Sequence, residues 1–159
     1  MLVLLDSEPL GMVTHPEASE EASECSQWLE GLLSQDVSVA VPEIIDYEIR
    51  RTYIHRDNQT SLRLLDSLVT DIGYLRLNTE TLMIAAGLWG KARQAGVGTA
   101  PEKRLDIDCI LAAQAHQASL KPQRVVIATI DVDDLSRYDT EQVKAMRWRD
   151  ITATSQLYH

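Results

Sequence analysis

The stretch LDIDCILAAQA at residues 105–115 constrains this chain most, because it places a carboxylate on a helix otherwise suited to burial. At the helical spacing of about 100° per residue, Asp108 shares a face with Leu111, Ala112 and Ala115. The alanines favour close packing against a sheet, where an isolated ionised carboxylate costs about 2 kcal/mol or more. Asp108 therefore needs compensation, and three forms stay open: a metal ion shared with other carboxylates, a helix cap, or a salt bridge.

Length and charge limit the class of protein. A chain of 159 residues with 45% hydrophobic content predicts a single domain over residues 1–159. The net charge of −9 argues against a nucleic-acid binder that acts through a broad basic surface. No transmembrane run or signal peptide is readable, so we expect a cytoplasmic protein without membrane contact. Cys25 and Cys109 lack metal-ligand spacing and are predicted to be small core residues.

Three apolar runs predict buried strands of a mainly parallel sheet. They cover residues 2–5, 37–41 and 124–129, and segments of helical periodicity separate them. Shorter patterns predict a strand at 74–77, a helical turn at 140–146 and a closing edge strand at 148–152. Alternating strands and helices predict an α/β fold with helices flanking the central sheet.

Acidic residues follow two of the predicted strands. Asp6 ends the first run, and Asp131 and Asp134 follow the last one. Ligand sites in open α/β sheets lie at the carboxyl ends of strands, which makes these acids candidates for a site. Taken alone, Asp6 is equally well explained as a turn or cap before a short helix.

The predicted helix at residues 43–53 contributes one further inward acid. The helical wheel places Glu48 on the apolar face and Asp46 on the opposite face with Arg50. We therefore expect Asp46 and Arg50 to form an exposed pair worth about 0.3 to 0.5 kcal/mol. An inward Glu48 has two explanations at this point, a site carboxylate or a partner of Arg51.

Together these acids indicate a metal site. Four carboxylates brought to one sheet edge repel one another, and divalent cations offset that repulsion. All-oxygen ligation suits Mg²⁺ or Mn²⁺ rather than zinc, and the chemistry that uses such a site is phosphodiester hydrolysis. No serine or cysteine nucleophile with a nearby histidine competes with this interpretation. The acids in question are Asp6, Glu48, Asp108 and Asp131.

Four motifs in order resemble those of a known family. They are LVLLDS, VPEIIDYEIRR, LDIDCILAAQA and VVIATIDVDDLSRY. The third fits the pattern D-x-x-[IL]-A-A-x-A, and the fourth resembles T-x-[ND]-x-x-[DH]-[LF]. Over nearly its whole length the sequence resembles the PIN-domain ribonucleases of the VapC-like toxin type.

The resemblance implies a three-layer PIN-like fold and a Mg²⁺-dependent endoribonuclease. It assigns Asp6, Glu48, Asp108 and Asp131 to the family's acidic metal-site positions and Thr129 to the hydroxyl position beside them. The position of Asp131 is often Asn in the family, and Asp134 is a second candidate to share or replace its role as a metal ligand. The resemblance further implies an RNA substrate, a VapB-like antitoxin that inhibits the toxin, and a homodimer.

Two rival functions are weighed against this one. A catalytically inactive PIN-like domain that only binds an antitoxin or regulator is disfavoured by the presence of all four acids. A HAD-type phosphatase also begins with a strand that ends in Asp, but it requires D-x-D-x-T, and Asp6-Ser7-Glu8 does not fit.

Two further assignments concern residues near the expected site. Asp106 is predicted to cap the helix or contact a loop, while Asp108 faces the metal. Local basic residues would have to bring RNA to an acidic protein, and the candidates are Arg50, Arg51, Arg56, Lys103 and Arg104.

Overall fold

Five strands form one sheet, and each pairing between them is parallel. The computed structural model describes residues 1–15, 19–96, 102–121 and 123–155, with the backbone alone at 102–104. The strand order is β3-β2-β1-β4-β5, which confirms the prediction of a mainly parallel sheet. The strands are β1 (Leu2–Leu5), β2 (Ser38–Pro42), β3 (Gly73–Leu75), β4 (Val125–Thr129) and β5 (Val143–Arg147).

Seven α-helices are seen in the described part of the chain. They are α1 (Ser7–Val13), α2 (Glu20–Ser34), α3 (Glu43–His55), α4 (Gln59–Asp71), α5 (Thr79–Gln94), α6 (Glu102–Ala118) and α7 (Val132–Leu135). Side chains that accept a backbone N–H cap four of them: Asp6 on α1, Ser19 on α2, Asn58 on α4 and Asn78 on α5. Within the described residues, none of these helices combines the length and the apolarity needed to traverse a bilayer.

The sheet is covered on both faces. Alternate side chains of a strand point to opposite faces, yet all five residues of β4 are buried. On α6 the alanines 112, 113 and 115 are fully buried, as the sequence predicts, and the helix contacts β4. Cys25 and Cys109 are buried free cysteines, which confirms their predicted place in the core. The α/β fold with helices flanking the sheet is therefore confirmed.

The last strand differs from the prediction. Residues 143–147 form β5 beside β4, whereas a helical turn was expected at 140–146. Val143 and Ala145 alternate with more exposed neighbours, and the open edge of β4 supplies hydrogen-bond partners that sequence periodicity cannot reveal.

The expected edge strand at 148–152 is also wrong. Residues Trp148–Asp150 form a 3₁₀ turn instead. The Trp148 ring is buried, with its centroid 5.6 Å from that of Trp28. The indole nitrogen of Trp28 donates to the Ile151 carbonyl at 2.9 Å. This tertiary contact turns the chain back against α2.

The rear of α3 is buried, which corrects the prediction of an exposed pair there. Asp46 is only 8% exposed, and its carboxylate accepts hydrogen bonds from Tyr74 at 2.8 Å and Arg50 at 3.0 Å. Arg50 also donates to Asp66 on α4 at 2.8 Å. Burial and the bond to Asp46 raise the pKa of the Tyr74 hydroxyl, so this group remains a donor at neutral pH. The wheel misses this because α4 and β3 cover the polar face of α3.

A buried glutamine joins α3, α6 and β3. Gln114 on α6 is 1% exposed, and its amide nitrogen donates to the Leu75 carbonyl at 2.6 Å. Its amide oxygen accepts from the Ile44 N–H in the first turn of α3, at 3.4 Å. Glu43 in the same turn accepts from the Leu77 N–H at 2.6 Å. These contacts determine how α3 and α6 lie relative to each other.

Replacing Gln114 by leucine is expected to lower the free energy of unfolding by about 1 to 3 kcal/mol, because the Leu75 carbonyl loses its donor. The measurement is urea denaturation, in which the midpoint should fall without a change in slope. Gln27→Leu on the exposed side of α2 is the control. Equal midpoints for the two variants would show that the buried amide contributes nothing.

Candidate metal centre

The carboxyl ends of β1 and β4 define the crevice where this sheet reverses its strand order. From β1 the sheet continues through β2 to β3 on one side, and through β4 to β5 on the other. Open α/β sheets bind ligands at such a reversal. Asp6 directly follows β1, and Asp131 lies two residues after the end of β4. The fold thus brings the two predicted strand-end acids to the same crevice.

A threonine hydroxyl connects these two acids. Thr129 is fully buried, and its Oγ1 donates to Asp6 Oδ2 at 2.7 Å. The same oxygen accepts from the Asp131 N–H at 2.9 Å. The other carboxylate oxygen of Asp6 accepts from the Ser7 N–H at 2.7 Å, which makes Asp6 the N-cap of α1. The two explanations of Asp6, cap and site residue, therefore hold together, since each carboxylate oxygen keeps a second lone pair.

Six carboxylates of the described residues line one cavity of about 440 Å³, here called the acidic cavity. Five are the predicted acids, contributed by four different elements or their ends, and the sixth is Glu8 in the first turn of α1. The cavity also has Ser7, Arg51 and three apolar side chains in its walls. The six acids are Asp6, Glu8, Glu48, Asp108, Asp131 and Asp134.

Glu8 is the acid that sequence reasoning missed. The pattern Asp6-Ser7-Glu8 was considered only as a failed phosphatase motif. The cap at Asp6 is the sequence signal that could have identified Glu8. A helix that begins at Ser7 places its first turn, which includes Glu8, beside the carboxyl end of β1.

The donor set suits a hard divalent cation. All the described ionisable side chains of the cavity apart from Arg51 are carboxylates, and oxygen donors are the ligands of Mg²⁺ and Mn²⁺. Among the described residues, no three His, Cys, Asp or Glu side chains stand in a geometry that would hold one metal ion. The acids thus surround the cavity instead of converging on one point within it.

Arg51 is the cation of the acidic cavity within the described part of the chain. Its guanidinium lies 3.9 Å from the Glu48 carboxylate and 5.1 Å from the centre of the Tyr47 ring. The Arg51 side chain is 45% exposed, so this long contact is worth at most about 1 kcal/mol. The pairing considered from the sequence exists, but it leaves Glu48 at the cavity wall.

A buried, uncharged pair includes the residue that follows Asp108 on α6. The next residue, Cys109, shares a hydrogen bond of 3.2 Å with the Tyr138 hydroxyl. Burial raises the pKa of the Cys109 thiol and, together with that hydrogen bond, the pKa of Tyr138. Both groups therefore stay protonated at neutral pH and add no negative charge beside Asp108.

Comparison with known proteins supports the fold. No family model matches the chain, and no curated protein matches its sequence. Solved structures do match, and they are complexes named VapBC. The match to VapBC2 from Rickettsia felis, bound to a DNA fragment from their promoter, has 12% identity and a TM-score of 0.65, and covers 93% of this chain and 99% of that one.

Two further structures agree with the first. VapBC-1 from nontypeable Haemophilus influenzae matches at 14% identity and a TM-score of 0.64, over 94% of this chain and 99% of that one. DNA-bound VapBC from Salmonella typhimurium matches at 15% identity and a TM-score of 0.65, over 93% and 99%. The chain has a VapC-like PIN fold.

In this PIN fold, Asp131 and Asp134 occupy different settings. Asp131 precedes α7, and its N–H is held by Thr129 in the network that includes Asp6. Asp134 lies on α7 and is paired with Arg137 at 2.7 Å. Both line the acidic cavity, so both remain candidates for the fourth acid.

The predicted capping role of Asp106 is wrong. Helix α6 begins at Glu102, which places Asp106 in the second turn, past the cap position. Its exposed carboxylate lines a separate groove with Trp89 of α5. Asp108 instead lines the acidic cavity, so the PIN fold separates these two aspartates as the helix register predicts.

The basic residues predicted to contact RNA lie in different parts of the structure. Arg50 is paired with Asp46 and Asp66 and is not among the described residues that line the acidic cavity, so its predicted role with RNA stays a prediction. Arg56 is exposed at the C-cap of α3, and Arg51 is at the acidic cavity. The side chains of Lys103 and Arg104 lie outside the described part of the structure.

Replacing Thr129 by valine should lower the free energy of unfolding by about 1 to 3 kcal/mol, because the Asp131 N–H and Asp6 lose their hydroxyl partner. Thr129→Ser keeps that hydroxyl and should lose less stability. Urea denaturation in the absence of added metal provides the comparison. A serine variant no more stable than the valine variant would mean that the hydroxyl does not hold the two acids.

Proposed function

We propose that this protein is a Mg²⁺- or Mn²⁺-dependent endoribonuclease and the toxin of a type II toxin–antitoxin pair. The observation that carries the proposal is the set of six carboxylates around one cavity, at the strand-order reversal of a VapC-like PIN fold. Its substrate is RNA, hydrolysed at phosphodiester bonds.

The charge of the cavity supports a cation requirement. Carboxylates that line one cavity raise one another's free energy when ionised, and a divalent cation offsets that repulsion. When bound, a divalent cation supplies Lewis-acid activation of a water molecule and offsets the charge that develops on the phosphate.

The residues have distinct roles in the proposed reaction. Asp6, Glu48, Asp108 and Asp131 line the cavity without converging on one point, so they would have to move together around the cation to hold it, and Asp134 would share or replace the role of Asp131. Ser7 N–H and Thr129 keep the Asp6 carboxylate oriented, since each binds one of its oxygens. Arg51 would bind an RNA phosphate beside the cavity, since its side chain lines the cavity and is 45% exposed.

The partner we propose is a VapB-like antitoxin, with the toxin itself a homodimer. The neighbours in fold were solved as VapBC complexes, which supports such a partner. A small reading frame next to the gene, encoding a DNA-binding protein, is what this proposal expects.

The two aspartates of α6 provide the sharpest test. Asp108→Asn should keep the fold and lower metal-dependent cleavage of single-stranded RNA by about 100-fold or more, since several kcal/mol of charge stabilisation depend on the cation. Asp106→Asn, on the separate groove, should cleave within about twofold of the unchanged protein. Gel assays in Mg²⁺ and Mn²⁺ measure both.

Thermal unfolding gives a readout independent of cleavage. A cation at a hundredfold excess over its Kd raises the free energy of unfolding by about 2.7 kcal/mol. This stabilisation should be seen with the Asp106→Asn variant and be absent from the Asp108→Asn variant. If the Asp106→Asn variant is inactive and the Asp108→Asn variant is fully active, the assignment of Asp108 to the metal site is wrong. Unmodified protein that neither cleaves RNA nor gains stability from either cation would favour the inactive, partner-binding domain.

Arg51→Ala should weaken RNA binding and reduce the slope of log affinity against log salt by about 0.7 to 1, because one phosphate contact releases roughly one counterion. Arg63→Ala, on an exposed position of α4, is the matched control. Fluorescence anisotropy over a salt series measures the slope. Identical slopes for the two variants would exclude a phosphate contact by Arg51.

A further inference from the structure

A second cleft of about 510 Å³ adjoins the acidic cavity. Ser7, Glu8 and Ile130 line both, so the two form one continuous depression. The walls of the second cleft, here called the apolar cleft, include Met12 and Tyr53. Its character differs from that of the acidic cavity, because apolar side chains replace the carboxylate cluster.

Ile130 lies where the two depressions adjoin, since it lines both. It lies between Thr129 and Asp131, the residues that hold the acid network, and its side chain is 46% exposed. An exposed branched apolar side chain beside clustered carboxylates is available for contact with an apolar ligand surface. A ligand that reaches both depressions must combine a group that binds a cation in the acidic cavity with an apolar group.

The aromatic wall of the apolar cleft is preorganised. The Tyr53 hydroxyl shares a hydrogen bond of 2.6 Å with Thr14 Oγ1. Thr14 is fully buried and donates in turn to the Leu10 carbonyl at 2.8 Å. The ring position is thus held by the core, so binding against it loses little side-chain entropy.

We propose that the apolar cleft binds an unpaired nucleobase of the RNA next to the scissile phosphate. This rests on the proposed function, which places that phosphate in the acidic cavity. A nucleotide has the required two parts, a charged phosphate and a flat base that packs against aromatic and aliphatic side chains. Glu8 and Glu21 also line the apolar cleft, where a carboxylate can accept from the exocyclic amino group of a base, and Glu21 is in addition paired with Arg149 at 3.2 Å.

The test compares RNA with and without bases. A labelled single-stranded RNA heptamer and an abasic ribose-phosphate oligomer of equal length are titrated by anisotropy, with Ca²⁺ as the cation and the RNA checked to be intact. Tyr53→Ala should weaken the affinity for the heptamer by about tenfold, which is within the range for the loss of one aromatic side chain that stacks on a base. The abasic oligomer should bind the variant as it binds the unchanged protein.

A second variant fills the apolar cleft from the opposite wall. A Cβ at Gly11 on α1 would meet no atom within 4 Å, so a larger side chain fits there without a clash at its base. Gly11→Leu should reproduce the loss of base-dependent affinity, and Gly11→Ala should not. Tyr53→Phe, which keeps the ring but loses the hydrogen bond to Thr14, should lose less affinity than Tyr53→Ala, and Trp89→Ala, in the separate α5–α6 groove, should change nothing.

The outcomes separate this proposal from the proposed function. Equal affinity of the unchanged protein for both oligomers overturns the base subsite, while metal-dependent cleavage tests the nuclease by itself. If Tyr53→Ala and Gly11→Leu leave heptamer binding unaltered but release a co-expressed polypeptide from the adjacent reading frame, the cleft docks a protein and the base assignment is wrong. Selective loss of heptamer affinity in both variants supports it.

Discussion

The mutual repulsion of six carboxylates around one cavity is the constraint that the rest of this structure must satisfy. Hydrogen bonds next to the cavity position two of these acids. The Asp6 carboxylate accepts from Ser7 N–H and Thr129 Oγ1, and the Asp131 N–H donates to the same hydroxyl. Neutral donors stabilise an ionised carboxylate without introducing a competing cation. These hydrogen bonds therefore fix the positions of Asp6 and Asp131 relative to each other. This explains why Asp6 serves as a helix cap and a cavity residue at once.

Buried contacts away from the cavity position two further acids, Glu48 and Asp108. Glu48 and Asp108 belong to different helices, so their separation depends on how α3 and α6 pack together. Gln114 joins those helices to the end of β3, and Asp46 ties the rear of α3 to Tyr74 and Arg50. Each buried polar group in this set has a partner, which makes the arrangement specific as well as stable. The polar side of α3 thus holds the helix in the rotation that points Glu48 at the cavity.

Strand order connects this chemistry to the wider surface. Because β1 and β4 lie side by side at the reversal, the loops that follow them border a shared crevice. Ile130 lines both the crevice and the apolar cleft, so charged and apolar surfaces meet at two consecutive residues, Ile130 and Asp131. Chains of VapBC complexes that are 12 to 15% identical to this one share its fold over nearly their full length. Most positions of the sequence can therefore differ while the fold is kept.

The sequence by itself determined the elements with strong periodicity: the buried strands at the start, middle and end, and the alanine-rich helix that carries Asp108 inward. It also indicated the five acids now found around one cavity. Only the tertiary structure decided that Asp46 is buried, that residues 143–147 form a strand, that Asp106 lies past the start of α6, and that Glu8 joins the acids. The physical reason is that periodicity reports which face of an element is apolar. What covers a polar face, and which open strand edge a short segment joins, depends on contacts between residues far apart in the chain.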